Sequence, residues 1–296
     1  MGVPIHGIAR ASASRASSMA TPGDLPAPDC GNASNPGGTH PYNRPMSYVE
    51  PWPAPALRDC YWYHTLDLPG GSVTGEWDLR GRFDDYTGHV ALSGKRVLDI
   101  GTASGFLTWE SEKRGADVVS FDLDHASRQK LLPFRDTIYM RDRDESERQR
   151  QAFFDSMKRG YWYCHHAFGS RARVCYGNIE RIPPELGRFD VAMLCSVLEH
   201  LPDHVQAIAS AASLADTVVI TGPLTDSDDR RAEFVGYASH PEANFSFWRY
   251  SLGVYREVFA MLGFRISRVT RASYRHVTTP APIEIPTIVA ERGRAR

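Results

Sequence analysis

The sequence has almost no net charge and no block of basic residues. Its 34 lysines and arginines nearly balance 35 acidic residues, which leaves a formal net charge of −1. The one arginine-rich stretch, residues 141–150, interleaves its arginines with aspartates and glutamates. Such mixing is typical of a solvated helix face, whereas a surface that follows phosphates carries an excess of positive charge. The composition therefore does not favour a nucleic-acid partner.

Long apolar runs and regularly spaced cysteines are absent too. No stretch approaches the roughly 18 apolar residues of a transmembrane helix, so no membrane partner is predicted. The five cysteines include no C-x-x-C pair. Cys175 and Cys195 fall within predicted strands, which favours buried free thiols and a cytoplasmic setting. Cys164, His165 and His166 are consecutive and such residues rarely point at one ion, so no metal site is predicted.

Aliphatic residues are sparse at the N-terminus. Residues 1–45 are dominated by Ala, Ser, Gly, Pro and Asn. A segment of this kind cannot bury enough apolar surface to offset its ordering entropy, which predicts a disordered low-complexity tail. It also has no apolar core of about 7–15 residues, so it does not read as a signal peptide. We expect residues 46–95 to form a lead-in that packs on one α/β domain, residues 96–292.

The most informative segment runs from Arg96 to Phe106. An apolar run, Arg96–Ile100, predicts a buried strand, and Gly101 to Gly105 then supply a tight turn that opens a helix. A strand, a glycine-rich turn and a helix N-terminus form the place where open α/β sheets bind nucleotide-like ligands. Ala103 stands where a dinucleotide fingerprint has its second glycine. Together with Asp99, this disfavours a diphosphate such as NAD(P) and favours a ligand with a cationic end.

A carboxylate follows the next predicted strand. That strand, residues 117–121, ends at Asp122, about 20 residues after Gly101. An acid at this position suits hydrogen bonds from the two hydroxyls of an adenosine ribose.

Several ordered motifs resemble those of the class I S-adenosyl-L-methionine (SAM)-dependent methyltransferases. The turn and Asp122 resemble the first motif and the strand-two acid of that family. Phe189–Cys195 resembles its fourth strand and is followed by the run "VLEHLPD", residues 197–203, which is found in the branch that modifies small metabolites, lipids and sugars. The resemblance implies a Rossmann-like seven-stranded sheet with helices on both faces. It also implies SAM as cofactor, bound by Asp99, Gly101, Thr102, Ala103, Gly105, Asp122, Leu123, Asn178, Ile179 and Cys195.

The lead-in resembles a second group. Trp62–Pro69 and Asp78–Arg80 are similar to the lead-in of the wobble-uridine carboxymethyltransferase family of tRNA modification, which uses a carboxylated SAM analogue. Three functions therefore remain open. The first is methyl transfer to a small molecule, such as a secondary metabolite, a sugar or a lipid precursor. The others are transfer to tRNA from SAM or carboxy-SAM, and SAM binding without catalysis.

A long insert, residues 125–171, separates the second and third predicted strands. A helix is expected from Asp144 to about Gly160, followed by the aromatic run Tyr161–Phe168. This insert is interpreted either as a crossover helix that packs on the sheet or as an aromatic wall over the acceptor pocket. A second long segment, Leu224–Arg249, has little periodicity and follows the fifth strand at the ligand-binding edge.

The sequence indicates the residues that bind the methyl acceptor less clearly than those that bind the cofactor. The candidate pocket residues are Tyr63, His64, Tyr161, Trp162, His240, Trp248 and Arg249. His200 is the candidate general base because a histidine titrates near neutral pH. The alternative for His200 is packing or hydrogen bonding at the start of a helix.

Overall fold

The structure, a computed structural model, describes residues 48–241 and 244–293. The predicted disordered tail, residues 1–45, lies outside this range. The strands are β1 Leu66–Leu68, β2 Gly71–Val73, β3 Trp77–Asp78, β4 Arg96–Ile100, β5 Asp117–Leu123, β6 Arg173–Gly177, β7 Phe189–Cys195, β8 Ala215–Thr221, β9 Leu224–Thr225, β10 Ala232–Phe234, β11 Trp248–Ser251, β12 Phe264–His276 and β13 Ile283–Arg292. The α-helices are α1 Phe83–Tyr86, α2 Phe106–Lys113, α3 Ile138–Arg141, α4 Arg143–Ala167, α5 His204–Leu214 and α6 Leu252–Met261.

The centre of the molecule is an eight-stranded sheet with the order β3-β12-β13-β8-β7-β4-β5-β6. Strands β4 to β8 pair in parallel, and β13 joins β8 antiparallel. The seven predicted strands are thus confirmed. The eighth, β3, is contributed by the lead-in. It pairs with the end of β12, which runs to His276.

Side chains along the central strands point alternately to the two faces of the sheet, which divides the core into two layers. Val97 and Met193 belong to a cluster that includes residues of α1, α2 and α4. Leu98 and Leu194 belong to a cluster on the other face, which includes residues of α5 and α6. Successive strand residues point to opposite faces, so both faces need a helical cover. The prediction of helices on both faces is confirmed.

Helix α4 is longer than predicted because it continues through Gly160. A Cβ at Gly160 would lie 2.6 Å from the carbonyl oxygen of Tyr61, so the glycine permits close packing of the lead-in on this helix. Tyr161 and Trp162, each 1% exposed, belong to the core beneath the helix. The hydroxyl of Tyr161 donates to Ser120 Oγ at 2.9 Å. Tyr161 and Trp162 therefore fit the crossover-helix interpretation, whereas Phe153 and Phe154 of the same helix line the cavity described below.

The segment after β8 is more ordered than its sequence predicts. It contains a small sheet in which β11 lies between β9 and β10. The four cysteines within the described ranges, Cys60, Cys164, Cys175 and Cys195, are unpaired. In the same ranges, no helix is long and apolar enough to cross a membrane.

Candidate functional site

A cavity of about 930 Å³ opens at the carboxyl ends of the parallel strands. In open α/β sheets this edge is where ligands bind. One part of its wall comes from the turn after β4 and the ends of β5 and β6. Another part comes from the lead-in, β12 and the segment after β7. The cavity-lining residues among the predicted cofactor contacts are Gly101, Thr102, Ala103, Asp122, Leu123, Asn178, Ile179 and Cys195.

The turn after β4 is held in a left-handed conformation. Ala103 has φ 49° and Gly105 has φ 87°. Gly105 caps α2 and does not line the cavity. A Cβ at Gly105 would lie 2.4 Å from the Trp109 ring. The predicted cofactor contact at Gly105 is therefore corrected to a packing role, because the indole of Trp109 occupies the space beside its Cα.

Asp122 connects β5 to this turn. Its Oδ2 accepts a hydrogen bond from the Ala103 amide at 2.9 Å, and its Oδ1 accepts one from the Leu123 amide at 2.7 Å. Burial raises the pKa of Asp122, while the two amides act in the opposite direction. A carboxylate has about four acceptor sites, so each oxygen retains capacity for a hydroxyl of a ligand in the cavity.

Asp99 lies beneath the turn rather than in the cavity wall. It is 1% exposed, and its Oδ2 accepts hydrogen bonds from the hydroxyls of Thr102 at 2.9 Å and Thr108 at 2.7 Å. Its Oδ1 has no hydrogen-bond partner among the described residues. Burial raises the pKa of Asp99 to about 6. Asp99 thus reaches the turn through the Thr102 side chain. Its predicted role, to orient the amino end of the cofactor through water or backbone, stays a prediction.

Asn178 begins the short turn that follows β6. Its Oδ1 accepts a hydrogen bond from the Glu180 amide at 3.0 Å and so caps a 3-10 turn, residues 179–181. Its neighbour Ile179 and the β5 residue Leu123 also line the cavity. Leu123 and Ile179 offer apolar side chains and Asn178 offers an amide, an arrangement suited to a flat heterocycle with a polar edge.

The other end of the cavity is built largely by the lead-in. Tyr63 and His64 line it, as predicted from the sequence. The amide of His64 donates to Ser104 Oγ at 3.0 Å, and its Nδ1 lies 3.3 Å from the same hydroxyl. Burial lowers the pKa of His64 to about 3, so its ring is neutral at ordinary pH.

Sequence reasoning missed several polar residues at this end. Tyr86 and Ser196 line the cavity and share a hydrogen bond of 2.6 Å between their hydroxyls. Two carboxylates, Glu76 and Glu199, line it as well. Glu76 accepts a hydrogen bond from the hydroxyl of Tyr61. Glu199 could have been predicted from the sequence, because it is the one acid in the run "VLEH", which follows a buried strand. Tyr86 and Glu76 carry no such signal, since they reach the site only through the fold.

His200 also lines the cavity, at the end of a 3-10 turn formed by Leu198–His200. Its Nδ1 lies 3.2 Å from the carbonyl oxygen of Phe245. A carbonyl oxygen can only accept, so Nδ1 donates this bond and carries the proton. In a neutral ring the other nitrogen, Nε2, is then an acceptor.

Two further predicted acceptor residues lie away from the cavity. Trp248 does not line it and instead packs edge-on against Phe234, with ring centroids 5.3 Å apart. His240 is exposed and does not line it either. Arg249 does line the cavity, 3.6 Å from a carboxylate oxygen of Glu233.

Tyr161 and Trp162 are likewise removed from the set of acceptor residues, since both lie in the sheet core. Most of the predicted site residues thus line one cavity, whereas four of the predicted acceptor residues do not. Within the described ranges, no three His, Cys, Asp or Glu side chains are arranged to hold a metal ion.

Residues 80–268 match the sequence profile of a family described as a methyltransferase domain. This match covers more than half of the chain. The chain belongs to this methyltransferase family. It has the class I SAM-dependent fold that the motifs predict, and S-adenosyl-L-methionine is the cofactor of the family.

A short stretch also matches curated proteins. It is 39% identical over 54 residues to the tRNA U34 carboxymethyltransferases of Pseudomonas putida strains GB-1 and W619. The alignment covers 18% of this chain and 17% of each relative, so it spans about a sixth of their length.

Two solved structures illustrate the likeness of fold. The 1,6-didemethyltoxoflavin-N1-methyltransferase of Burkholderia thailandensis has a TM-score of 0.45 at 17% identity, over 73% of this chain and 78% of that one. The magnesium protoporphyrin IX methyltransferase of Synechocystis PCC 6803 has a TM-score of 0.42 at 15% identity, over 68% and 75%. At these values neither structure bears on the acceptor of this chain.

Proposed function

We propose that this protein transfers a methyl group from SAM to a small-molecule acceptor. The observation that carries the proposal is that one cavity joins two chemically different ends. The Asp122 carboxylate and the turn after β4 lie at one end. At the other, the lead-in and the segment after β7 contribute aromatic, hydroxyl and carboxylate side chains.

The residues at the first end suit SAM. Asp122 would accept hydrogen bonds from the ribose hydroxyls, and Leu123 and Ile179 would flank the adenine, with Asn178 at its polar edge. The Ala103 amide already donates to Asp122, so it is not offered to a phosphate. This supports a ligand without a diphosphate. Bound SAM supplies a methyl group activated by a sulfonium.

The protein's own contribution is alignment and proton removal. Enclosing the acceptor beside the donor contributes to rate through orientation, which can supply several kcal/mol. His200 would serve as the general base, since its Nε2 is the acceptor nitrogen when Nδ1 donates to Phe245. His64 is unsuited to this role because its ring is buried and already lies beside Ser104.

A small acceptor fits the size of the cavity and the near-zero net charge of the chain. Ligand pockets are usually about 300–1,000 Å³, and this cavity of about 930 Å³ would hold the cofactor and a small acceptor together. The net charge of −1 offers no excess of cations for RNA phosphates. The short match to tRNA carboxymethyltransferases favours tRNA as the second candidate acceptor.

The test is release of S-adenosylhomocysteine (SAH) from SAM in the presence of separate acceptor pools. We expect turnover with a pool of hydroxylated aromatics, sugars or lipid precursors, and its loss in Asp122→Asn. Turnover confined to unmodified tRNA, or dependent on carboxy-SAM, would support the second candidate. Stoichiometric retention of SAM with no SAH formed in any pool would identify a binding protein without transferase activity.

A further inference from the structure

Glu199 is a buried carboxylate that the proposed function has not used. It lies in the 3-10 turn after β7, is 8% exposed, and lines the cavity. Its pKa is raised by burial, and the groups that favour its charged form are His200 and its own backbone amide. No other described residue donates a hydrogen bond to this carboxylate or forms an ion pair with it.

A carboxylate of this kind is expensive to bury without a partner. Burying a charge is strongly unfavourable unless it is paired and hydrogen-bonded. Two neighbouring acids have hydrogen-bond donors within the protein, since buried Asp99 accepts from two threonine hydroxyls through Oδ2 and partly buried Glu76 accepts from Tyr61. Glu199 faces the cavity without such a donor, so we expect its donor to come from a ligand.

The chain leaves space beside this side chain at the end of the neighbouring strand β8. Gly222 follows β8, and a Cβ built on it would lie 3.2 Å from Glu199 Oε2. Its backbone is not left-handed, because Gly222 is absent from the positive-φ glycines. The glycine therefore leaves room beside the carboxylate, and its conformational freedom is not used here.

The surroundings of Glu199 are neutral or negative. Burial, followed by the nearby carboxylates of Glu199 and Glu76, raises the pKa of Tyr63. Tyr86 and Cys195 also face Glu199, and the pKa of each is raised by burial, so both remain protonated. Beside its backbone amide, the one group that lowers the pKa of Glu199 is His200. A ligand group placed here must therefore donate hydrogen bonds, and an anionic group would be repelled.

We propose that Glu199 binds the hydrogen-bond-donating group of the acceptor, an amine or a hydroxyl, and selects against acceptors with a carboxylate or phosphate at this position. The proposal rests on the proposed function, since it names the chemistry of the acceptor at the same site. It assigns Glu199 a role in acceptor binding and leaves proton removal to His200.

The test uses three fragments that share one ring and differ in the polar group. Benzylamine, benzyl alcohol and benzoate present a cationic donor, a neutral donor and an anionic acceptor. Each is titrated at millimolar concentration into the SAH-saturated protein, and binding is followed by saturation-transfer NMR. The proteins are wild type, Glu199→Gln and the control Glu291→Gln, whose carboxylate is exposed and outside the cavity.

We expect wild type and Glu291→Gln to bind at least one of the two donor fragments more tightly than benzoate. A hydrogen bond to a charged group contributes enough for roughly a 10- to 100-fold preference. Glu199→Gln keeps the shape of the side chain and should lose most of that preference while binding SAH as wild type does. A preference for benzylamine or for benzyl alcohol would show whether the donor is charged or neutral.

Equal binding of benzoate by wild type, an unchanged preference in Glu199→Gln, or no fragment binding at all would each overturn the inference. Failure of the proposed function has a different signature, because the pools of small-molecule acceptors would then yield no SAH, whichever fragments bind. A second variant, Gly222→Ala, crowds the carboxylate without changing any titratable group. It should reduce the same preference, and an unchanged preference there would also count against the assignment.

Discussion

Replacing Asp122 with asparagine should weaken SAH binding about 100-fold. The wild-type carboxylate already accepts from the Ala103 amide at 2.9 Å and from the Leu123 amide at 2.7 Å. Asparagine keeps the size of the side chain and one acceptor oxygen, but its NH₂ group cannot accept a hydrogen bond. Either a backbone amide, of Ala103 or Leu123, or a ribose hydroxyl therefore loses its acceptor.

The magnitude follows from the contacts that are lost. A hydrogen bond to a charged group contributes about 1.5–3 kcal/mol. Neutralising the carboxylate weakens one ribose contact and removes the other, for a loss of about 3 kcal/mol. Since about 1.4 kcal/mol corresponds to a tenfold change, the dissociation constant of SAH rises roughly 100-fold.

Isothermal titration calorimetry with SAH measures this change directly. Asp117→Asn is the matched control, because Asp117 begins the same strand at the opposite, exposed end and pairs with Arg173 at 3.0 Å. We expect control and wild type to bind SAH equally. A dissociation constant for Asp122→Asn within about threefold of wild type would refute the role of Asp122, because a lost charged contact exceeds that change.

Three further predictions concern other residues of the site. Glu199→Gln should raise the melting temperature by a few degrees at neutral pH, because burial raises the pKa of Glu199 above its ordinary 4.5. The Glu199 carboxyl then binds its proton more tightly in the folded protein than in the unfolded chain. The free energy of unfolding of wild type therefore falls as pH rises through the raised pKa, and the variant, which has no such carboxyl, does not show this fall. His200→Gln should lower kcat on the identified acceptor by roughly 10²–10⁴-fold, with SAH affinity unchanged. Gly105→Ala should lower the free energy of unfolding by roughly 2–4 kcal/mol, from strain at φ 87° and the clash with Trp109, measured by urea denaturation.

Each of these has an outcome that contradicts it. Parallel melting curves for Glu199→Gln and wild type between pH 4 and pH 8 would mean that the carboxylate is not destabilised by burial. Full turnover by His200→Gln would remove the histidine as base. Gly81→Ala is the control for Gly105→Ala, since Gly81 has φ 70° with no atom within 4 Å of a built Cβ. Equal losses in the two variants would show that Trp109 contributes nothing.

The sheet and the cofactor end of the site could be predicted from sequence because their signals are local. Strand Phe189–Cys195 has the predicted bounds, since an apolar run flanked by a turn and a glycine is unambiguous at that length. Asp122 and the turn after β4 are close in sequence to the strands that position them. Their convergence follows from the parallel order of β4 and β5 alone.

The acceptor end could not be predicted to the same degree because it depends on long-range packing. Gly160 reads as a helix end in sequence, yet it lies within α4, where Tyr61 packs closely against it. Because the helix continues, Tyr161 and Trp162 lie in the core and not in the expected pocket. Glu76 reaches the cavity because its neighbour β3 pairs with the end of β12, almost 200 residues later.

The most direct test of the account is a titration of wild-type protein with SAH by isothermal titration calorimetry, accompanied by melting curves with SAH and with NADH. We expect one SAH molecule to bind per chain. At 100 times the dissociation constant, SAH should raise the melting temperature by roughly 5–10 °C, as expected for about 2.7 kcal/mol of added stability. NADH should leave it unchanged. No heat and no shift with SAH, or a shift with NADH in its place, would contradict the assignment of the cavity to SAM.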